Sequence, residues 1–360
     1  MSTARVLPKS YTAYHFEEAN SPLVKVELPW KEPQENEVVV EVLASGVCGS
    51  DHCVRAGLIG NSWPRVPGHE IVGDIVSKHP SVTNFKIGQR VGVPWNSRYC
   101  YKCRFCRSGV FEGCVERSAY TIGGARDGGY AQYVVVPADG LCSVPEVLDP
   151  AEVAPMMCAG VTVYSTHSVN GWVIAADESS PESLLYLNIP PGAVVAIQGV
   201  GGLGHLAIQF CRAMGYKTVA VSSSGAKRDI ALQLGAHVYI DESKVDAVQE
   251  LRRLGGADVI MSTVPCGQVT MKLLAGLAYE GKLVVLGLSE ETAVFAPRAL
   301  PPNRWSIHGF LCGTAKDCED TIEFAMLHDI RCIVEKFPLD QAWEAFQHLE
   351  HARFRAVIVP

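Results

Sequence analysis

The chain has 360 residues, of which 48% are hydrophobic and 19% are charged, a composition typical of a globular protein with enough apolar residues for two cores. Its formal net charge of −7 argues against a general role in binding nucleic acid or anionic membranes. The sequence has no run of about 20 uninterrupted apolar residues that would predict a membrane span, and its N-terminal residues do not resemble a signal peptide. We therefore expect a cytoplasmic protein without a membrane anchor.

The first part of the chain predicts mostly β structure. Short strand-like runs alternate with Pro and Asn residues over 10–45, as in Val24–Leu28 and Glu37–Val42. Two further β runs follow at Glu70–Ser77 and Ala131–Val136.

The pattern changes near residue 160 to strands that alternate with helices, which indicates a parallel sheet with helical crossovers. The candidate strands are Ala193–Gln198, Thr218–Ser222, Val238–Ile240, Val259–Ser262 and Leu283–Leu286. The last fifty or so residues predict helices near Asp317–His328 and Leu339–Leu349 and a closing strand at Arg355–Val359. The sequence thus predicts a two-domain α/β protein.

The most specific metal signal is a cluster of four cysteines, Cys100, Cys103, Cys106 and Cys114. C-x-x-C steps fold thiolates around one tetrahedral ion, and a closed set of four sulfur ligands is typical of structural zinc. An iron–sulfur cluster is the main alternative, but the ferredoxin motif closes with three residues and Cys-Pro. Here seven residues separate Cys106 from Cys114, and Val115 follows. Disulfides are disfavoured by the odd total of 13 cysteines and by the lack of an export signal.

A second set of metal ligands, Cys48, His69 and Cys158, is spread along the chain. Thiolate and imidazole are preferred ligands of Zn²⁺, and a catalytic zinc usually has three protein ligands and one open position. Asp51 and Glu70 stand near the first two ligands, where carboxylates fix an imidazole tautomer or balance the metal charge. Taken singly, these cysteines are more typical of buried core thiols. Together, the five residues predict a catalytic zinc that binds an alcohol or carbonyl oxygen.

The turn from Gly199 to Gly204 contains the pattern G-x-G-x-x-G. It follows the apolar strand Val194–Ile197 and opens a helix with an apolar face, which is the strand–turn–helix context of a dinucleotide site. In such sites the pyrophosphate binds at the helix N-terminus. The residues expected to contact the cofactor here are Gly199, Gly201, Gly202, Leu203 and Gly204.

The end of the next predicted strand favours NADP(H) over NAD(H). An NAD site carries Asp or Glu at this point to bind the ribose 2′-hydroxyl. This chain has Ser222, Ser223 and Ser224 instead, followed by Lys227 and Arg228. Hydroxyls and cations bind a 2′-phosphate, which a carboxylate would repel. A solvated basic helix start is the alternative, but it leaves the missing acid unexplained.

These motifs together resemble the zinc-dependent medium-chain alcohol dehydrogenase family, and the serine run resembles its NADP-dependent cinnamyl-alcohol-dehydrogenase group. The resemblance covers essentially the whole chain. It implies an α/β fold in which a GroES-like, mostly β catalytic domain (1–160 and 307–360, with a structural zinc loop at 96–116) is interrupted by a doubly wound Rossmann domain (161–306). It also implies two zinc ions per chain, NADP(H), a small-molecule alcohol, aldehyde or ketone, and a homodimer or homotetramer.

The resemblance also assigns a proton relay. Ser50, two residues after the first ligand, would start the relay, Asp51 would orient the histidine ligand, and Glu70 would be able to enter the zinc coordination. The family's relay histidine stands where this chain has Cys53, and His52 lies one position earlier. Because a thiol is a poorer proton shuttle than imidazole at neutral pH, either His52 reaches the relay or protons leave directly to water.

Further contacts are implied by the resemblance. Thr162 would contact the cofactor, and Arg355 would approach its phosphates. The expected pocket residues are Cys53, Trp63, Trp95 and Met157. Aromatic walls suit a medium or large apolar alcohol or aldehyde, although such residues are more often plain core. The segment Asn170–Pro190 is longer than the usual link, and we expect a surface loop, a border of the substrate cleft or a subunit contact.

Two other functions are compatible with such a scaffold. One is NADPH-dependent reduction of a conjugated C=C or an imine without a strong metal–oxygen contact. The other is a non-catalytic NADPH-binding protein, as in lens crystallins of similar fold. The complete set of Cys48, His69 and Cys158, together with Ser50, favours a zinc-dependent alcohol dehydrogenase or aldehyde reductase.

Overall fold

The computed structural model describes residues 6–60, 62–168, 189–349 and 351–360. Residues 170–188 of the predicted insertion lie outside these ranges. The chain divides into two compact units. The first contains Met1–Cys158, Gly313–Ile322 and Cys332–Pro360, and the second contains Ala159–Cys312 and Glu323–Arg331. The domain bounds expected from the sequence remain a prediction, because compactness alone does not show that a unit folds independently.

The N-terminal part of the first unit consists mainly of antiparallel strands. A hairpin is formed by β1 (Ser10–Phe16) and β2 (Leu23–Pro29). The larger sheet begins with β3 (Glu37–Gly46), β4 (Glu70–Lys78), β5 (Arg90–Val93), β6 (Tyr133–Pro137) and β7 (Cys142–Ser143). The apolar side chains of these strands form one buried cluster, which includes Val38, Val40, Ile71, Ile75 and Val91. Because this face is buried, the pairing register of the strands is fixed. In this register the end of β3 lies beside the start of β4.

The second unit contains a six-stranded parallel sheet. Its strands are β8 (Val194–Gln198), β9 (Lys217–Ser222), β10 (Val238–Asp241), β11 (Ala257–Ser262), β12 (Leu277–Val285) and β13 (Ser306–Gly309). Their order is β10-β9-β8-β11-β12-β13. This is the doubly wound Rossmann order, in which ligands bind where the order reverses, between the first and fourth strands. The sheet confirms the predicted fold class.

Two C-terminal strands complete the large sheet of the first unit. They are β14 (Val334–Pro338) and β15 (Arg355–Val359), and they pair in parallel with each other. The sheet order is β14-β15-β3-β4-β5-β7, with β6 also paired to β3. Because β15 runs antiparallel to the end of β3, the last strand of the chain lies beside Gly46 and Ser45.

The helices are short. They are α1 (Ser50–Arg55), α2 (Arg104–Arg107), α3 (Pro150–Val153), α4 (Ala159–Ser168), α5 (Gly204–Ala213), α6 (Arg228–Gln233), α7 (Ala247–Arg253), α8 (Gly267–Lys272), α9 (Leu300–Asn303), α10 (Ala315–Leu327) and α11 (Ala342–His348). Across the described ranges, no helix combines the length and the apolar character that crossing a bilayer requires.

Candidate active site

Four potential metal ligands meet in the first unit. Cys48, His69, Glu70 and Cys158 each offer one ligand atom, and these atoms all lie within 4.8 Å of one another. The Sγ atoms of Cys48 and Cys158 are 3.9 Å apart. Zinc–ligand bonds of about 2.0–2.3 Å place the corners of a tetrahedron at similar separations. The four residues are all buried, so the site has the geometry and the soft donors that zinc prefers.

The pairing of β3 with β4 brings the ligand segments together. Gly46 and Glu70 are direct partners in this antiparallel ladder, so Cys48 follows one strand where His69 precedes the other. A Cβ at Gly46 would lie 2.0 Å from Oε2 of Glu70, and glycine is therefore required for this close approach. Cys158 follows a 3₁₀ turn at Ala154–Met157.

His69 has one nitrogen, Nε2, that is available to a metal. Nδ1 of His69 lies 3.3 Å from Oδ1 of Asp51, which is within ion-pair distance. The two atoms are not aligned well enough to form a regular hydrogen bond. Nε2 of His69 and Oε2 of Glu70 are buried and have no hydrogen-bond partner among the described residues. Orphaned polar atoms in a buried site need an explanation, and a bound ion supplies one. The donor set therefore fits zinc.

The electrostatics favour the ligand form of the first cysteine. The hydrogen bond with Cys158 holds the pKa of the Cys48 thiol well below its usual range, outweighing the effect of burial, and His69 lowers it further. Burial alone would lower the pKa of His69, but Asp51 and Cys48 raise it well above the usual range. A thiolate is the form of cysteine that binds metal.

Glu70 is paired with an arginine from the end of the chain. Nη2 of Arg355 donates a hydrogen bond to Oε1 of Glu70, and both side chains are almost completely buried. Burial raises the pKa of Glu70 to about 8, although the charge of Arg355 opposes this shift. We expected Arg355 to approach the cofactor phosphates; its guanidinium contacts Glu70, and the phosphate contact remains a prediction.

Of the predicted relay residues, Ser50 lies beside the candidate ligand Cys48. Its Oγ is 3.8 Å from Sγ of Cys48, because both flank the start of α1. The ring of His52, on the same helix, packs against Phe346 with 4.3 Å between the ring centroids. Cys53 is half-buried. The relay roles of these side chains remain predictions.

The predicted pocket residues occupy different environments. The ring of Trp95 meets His69 edge-on with 4.7 Å between centroids, so it lies directly beside a candidate metal ligand. Met157 is completely buried, and its Sδ lies 3.4 Å from Sγ of Cys142. Trp63 packs edge-on against Phe16, with centroids 6.3 Å apart.

The other four cysteines also form one cluster. The ligand atoms of Cys100, Cys103, Cys106 and Cys114 lie within 4.8 Å of one another. Backbone N–H groups donate to these sulfurs: that of Cys100 to Cys114 at 3.3 Å and that of Cys103 to Cys100 at 3.4 Å. A backbone hydrogen bond from Cys106 lowers the pKa of Cys103 to about 6. Burial, by contrast, raises the pKa of Cys106 to about 12. The cluster fits the predicted structural zinc because four sulfur atoms lie close together.

The glycine turn of the second unit joins β8 to α5. A Cβ at Gly204 would lie 1.9 Å from the carbonyl oxygen of Gly199, so glycine is required for the tight turn. A Cβ at Gly201, by contrast, would have no described atom within 4 Å. Leu203 precedes the helix and provides no side-chain cap. Gly201 therefore leaves room for a phosphate at the start of α5. The N–H of His205, in the first turn of the helix, already donates to the carbonyl oxygen of Gly201 at 3.0 Å.

The serine run begins at the end of β9. Ser222 is buried, whereas Ser223 and Ser224 are exposed. Oγ of Ser224 accepts the backbone N–H of Ala226 at 3.4 Å. No acidic residue stands at the end of this strand, as the sequence indicates.

Two cations follow the serine run. Nζ of Lys227 donates to the carbonyl oxygen of Val200 at 2.8 Å, which places this cation beside the glycine turn. The guanidinium of Arg228 lies 5.9 Å from the ring centroid of Tyr239. Oγ1 of Thr162, also in this unit, accepts the backbone N–H of Cys312 at 3.1 Å.

The sequence matches two family models. Residues 34–146 match the alcohol dehydrogenase GroES-like domain, and residues 202–326 match the zinc-binding dehydrogenase model. The chain belongs to the zinc-dependent medium-chain alcohol dehydrogenase family. Among its relatives, alcohol dehydrogenase patD of Penicillium expansum is 38% identical over 357 residues, which cover 99% of each chain.

Solved structures place this alcohol dehydrogenase near the cinnamyl alcohol dehydrogenases. The enzyme of Sorghum bicolor matches 98% of each chain with a TM-score of 0.82 and 29% identity. The Helicobacter pylori cinnamyl alcohol dehydrogenase, solved in complex with NADP(H), covers 98% of this chain and 99% of its own with a TM-score of 0.81 and 25% identity. These similarities confirm the predicted resemblance to this group.

Sequence reasoning missed two contacts of this alcohol dehydrogenase. One is the ion pair between Glu70 and Arg355, described above. The other is a hydrogen bond of 2.9 Å from the hydroxyl of Tyr130 to Oδ2 of Asp51. Neither contact has a signal in local spacing, since the partners are 285 and 79 residues apart.

Proposed function

We propose that this alcohol dehydrogenase transfers hydride between NADP(H) and an alcohol or the corresponding aldehyde or ketone, with Cys48, His69 and Cys158 as ligands of a catalytic zinc. The observation that carries the proposal is the buried donor set with its orphaned His69 Nε2. Zinc bound there would supply Lewis-acid polarisation of the substrate oxygen. Cys100, Cys103, Cys106 and Cys114 would hold a second, structural zinc.

The surrounding residues bind, orient and move protons. Ser50 is the candidate for accepting or donating the proton of the substrate oxygen at its Oγ, because it is the hydroxyl beside Cys48. Asp51 holds the imidazole of His69, and Glu70 places a carboxyl group beside the ligands. His52 contributes modestly in this proposal, since its ring is engaged with Phe346. Trp95 provides an apolar wall next to His69 and favours a medium or large apolar substrate.

NADP(H) is the proposed cofactor, and it supplies or accepts the hydride. Three features support it: the serines in place of a carboxylate after β9, the position of Lys227 beside the glycine turn, and the NADP(H) complex of the Helicobacter pylori relative. A 2′-phosphate would interact with Ser223, Ser224, Lys227 and Arg228. The proposal also retains a GroES-like domain at 1–160 and 307–360, a Rossmann domain at 161–306, a homodimer or homotetramer and a cytoplasmic location.

Product analysis on a conjugated aldehyde tests this function. Purified protein is analysed for zinc and then given cinnamaldehyde with NADPH or NADH. We expect two zinc ions per chain, the allylic alcohol as product, and a higher kcat/KM with NADPH. The saturated aldehyde as product would instead support C=C reduction. Turnover of no aldehyde or ketone, with NADPH bound, would support the non-catalytic protein.

A further inference from the structure

Tyr130 lies behind the candidate catalytic zinc ligands. It is completely buried, as is Asp51, to which its hydroxyl donates a hydrogen bond of 2.9 Å at Oδ2. A buried phenol needs a hydrogen-bond acceptor, and here it uses the carboxylate next to a ligand histidine.

Asp51 is surrounded by four donor groups. Its Oδ2 accepts the backbone N–H of Cys48 at 3.0 Å in addition to the hydroxyl of Tyr130. Its Oδ1 accepts the backbone N–H of Gly68 at 3.4 Å and lies 3.3 Å from Nδ1 of His69. Three of the four groups belong to the two ligand segments themselves. Tyr130 alone comes from another part of the chain, so it ties the carboxylate to a third segment.

The ring of Tyr130 is itself held in place. Its backbone N–H donates to the carbonyl oxygen of Pro67 at 3.1 Å, and its own carbonyl oxygen accepts the N–H of Tyr14 at 2.8 Å. A Cβ at Gly68 would lie 2.4 Å from Cδ1 of the ring, and Gly68 has a φ of +95°. Glycine at this position thus allows the ring to lie against the residue that precedes His69.

We propose that Tyr130 is a positioning residue for His69 and acts through Asp51. With Oδ2 fixed by two donors, the carboxylate presents Oδ1 to Nδ1 of His69, which selects the tautomer with hydrogen on Nδ1 and the Nε2 lone pair free for a metal. Without the hydroxyl, Oδ2 keeps only the N–H of Cys48 as a donor, and the carboxylate is held less firmly in the orientation that faces the imidazole. This inference rests on the metal site proposed above.

The test is metal affinity in Tyr130→Phe. Loss of a contact that orients a metal ligand lowers the metal affinity about 10- to 100-fold. We expect a loss of about 10-fold here, because Tyr130 acts on His69 only through Asp51. Zinc is competed with a chromophoric chelator, and the visible spectrum of the cobalt-loaded protein should shift. Tyr14→Phe is the control, because Tyr14 belongs to the same apolar cluster as Tyr130. Burial and the charge of Asp340 raise the pKa of the Tyr14 hydroxyl. This control variant should match the wild type.

A double-mutant cycle tests the route through Asp51. In an Asp51→Asn background, Tyr130→Phe should cost less than 2-fold in affinity. An equal loss in both backgrounds, or unchanged affinity and cobalt spectrum in Tyr130→Phe, would overturn the inference. If Tyr130→Phe fails to fold, 3,5-difluorotyrosine introduced at position 130 keeps the ring shape and strengthens the donor; an unchanged cobalt spectrum would then overturn it. Failure of the wild type to bind metal at Cys48, His69 and Cys158 would refute the proposed function instead.

Discussion

Glu70 and Arg355, which are 285 residues apart in the sequence, form a buried ion pair beside the candidate catalytic metal ligands. The guanidinium balances a carboxyl group that is completely buried. Its Nε has no hydrogen-bond partner among the described residues, and Glu70 makes the largest favourable contribution to keeping this guanidinium charged. The pair therefore ties the last strand of the chain to a side chain of the candidate metal site.

Loss of the arginine should destabilise the protein strongly. Arg355→Gln leaves Glu70 buried without its counter-ion, which typically costs about 3–5 kcal/mol in the free energy of unfolding. Denaturant unfolding followed by circular dichroism measures this change. Arg355→Lys is the matched control, because it keeps the charge but not the planar fork, and it should lose less. Equal stability of Arg355→Gln and the wild type would contradict the energetic role of the pair.

A carboxylate after β9 should change the cofactor preference. Ser223→Asp places a negative charge where we propose that the 2′-phosphate binds, so the ratio of kcat/KM for NADPH to that for NADH should fall at least about 10-fold, equivalent to about 1.4 kcal/mol. Steady-state kinetics with both cofactors on one aldehyde give the ratio. Ser223→Ala removes the hydroxyl without adding charge and should have a smaller effect. An unchanged ratio in Ser223→Asp would argue that the phosphate binds elsewhere.

The two relay candidates should respond differently to mutation. Ser50→Ala removes the hydroxyl nearest to Cys48, and we expect kcat for alcohol oxidation to fall about 100-fold, the lower range for loss of a proton-transfer group. His52→Ala should change kcat by less than about 5-fold, since the ring of His52 packs on Phe346. Rates are measured from pH 6 to pH 10. A large loss in His52→Ala, with an altered pH profile, would reassign the relay to that histidine.

The stability of the C-terminal region should depend on a carboxylate at acid pH. Oε1 of Glu335 accepts the backbone N–H of Arg353 at 2.8 Å, and Oε2 lies 2.6 Å from Nε2 of His348. The hydrogen bond from Arg353 and the contact with His348 lower the pKa of Glu335 below its ordinary value of 4.5. A depressed carboxyl pKa contributes stability that is present above the ordinary value and is lost as the pH falls through the folded-state value.

Glu335→Gln tests this linkage. The wild type should lose more stability than the variant when the pH falls below about 4.5, and the difference between them should be largest near neutral pH. Melting temperatures at several pH values measure it. Parallel curves for the two proteins would show that Glu335 does not contribute to the acid response.

The sequence predicts most of the strands of the parallel sheet, and it identifies both clusters of potential metal ligands, because these signals are local. The strands of the parallel sheet are short apolar runs bounded by turn residues, and the four-cysteine cluster and the glycine turn have fixed spacings over a few positions. The short edge strands β13 and β14 were missed, because they are only partly buried and lack a strong apolar alternation. Helix α1 was missed as well, since its six residues are too few for a helical period.

The contacts behind the ligands could not be predicted in the same way. Tyr130 reads as one aromatic residue in a loop, and Arg355 as the start of a closing strand. Their partners are chosen by the pairing of β15 with β3 and by the backbone bonds around Gly68, which are tertiary relationships. The spacing of residues in the sequence identifies which residues can bind an ion. It does not identify the side chains that orient them.

The position of β15 in the large sheet also constrains the order of events during translation. Every candidate metal ligand is synthesised well before Arg355. The strand that carries this arginine, β15, pairs with one edge of β3 in the large sheet. A nascent chain that has emerged only as far as Cys158 therefore has an unfinished sheet and an unneutralised Glu70. The sheet that carries the candidate ligands Cys48 and His69 is therefore complete only when the final strand has been synthesised, after the intervening second unit.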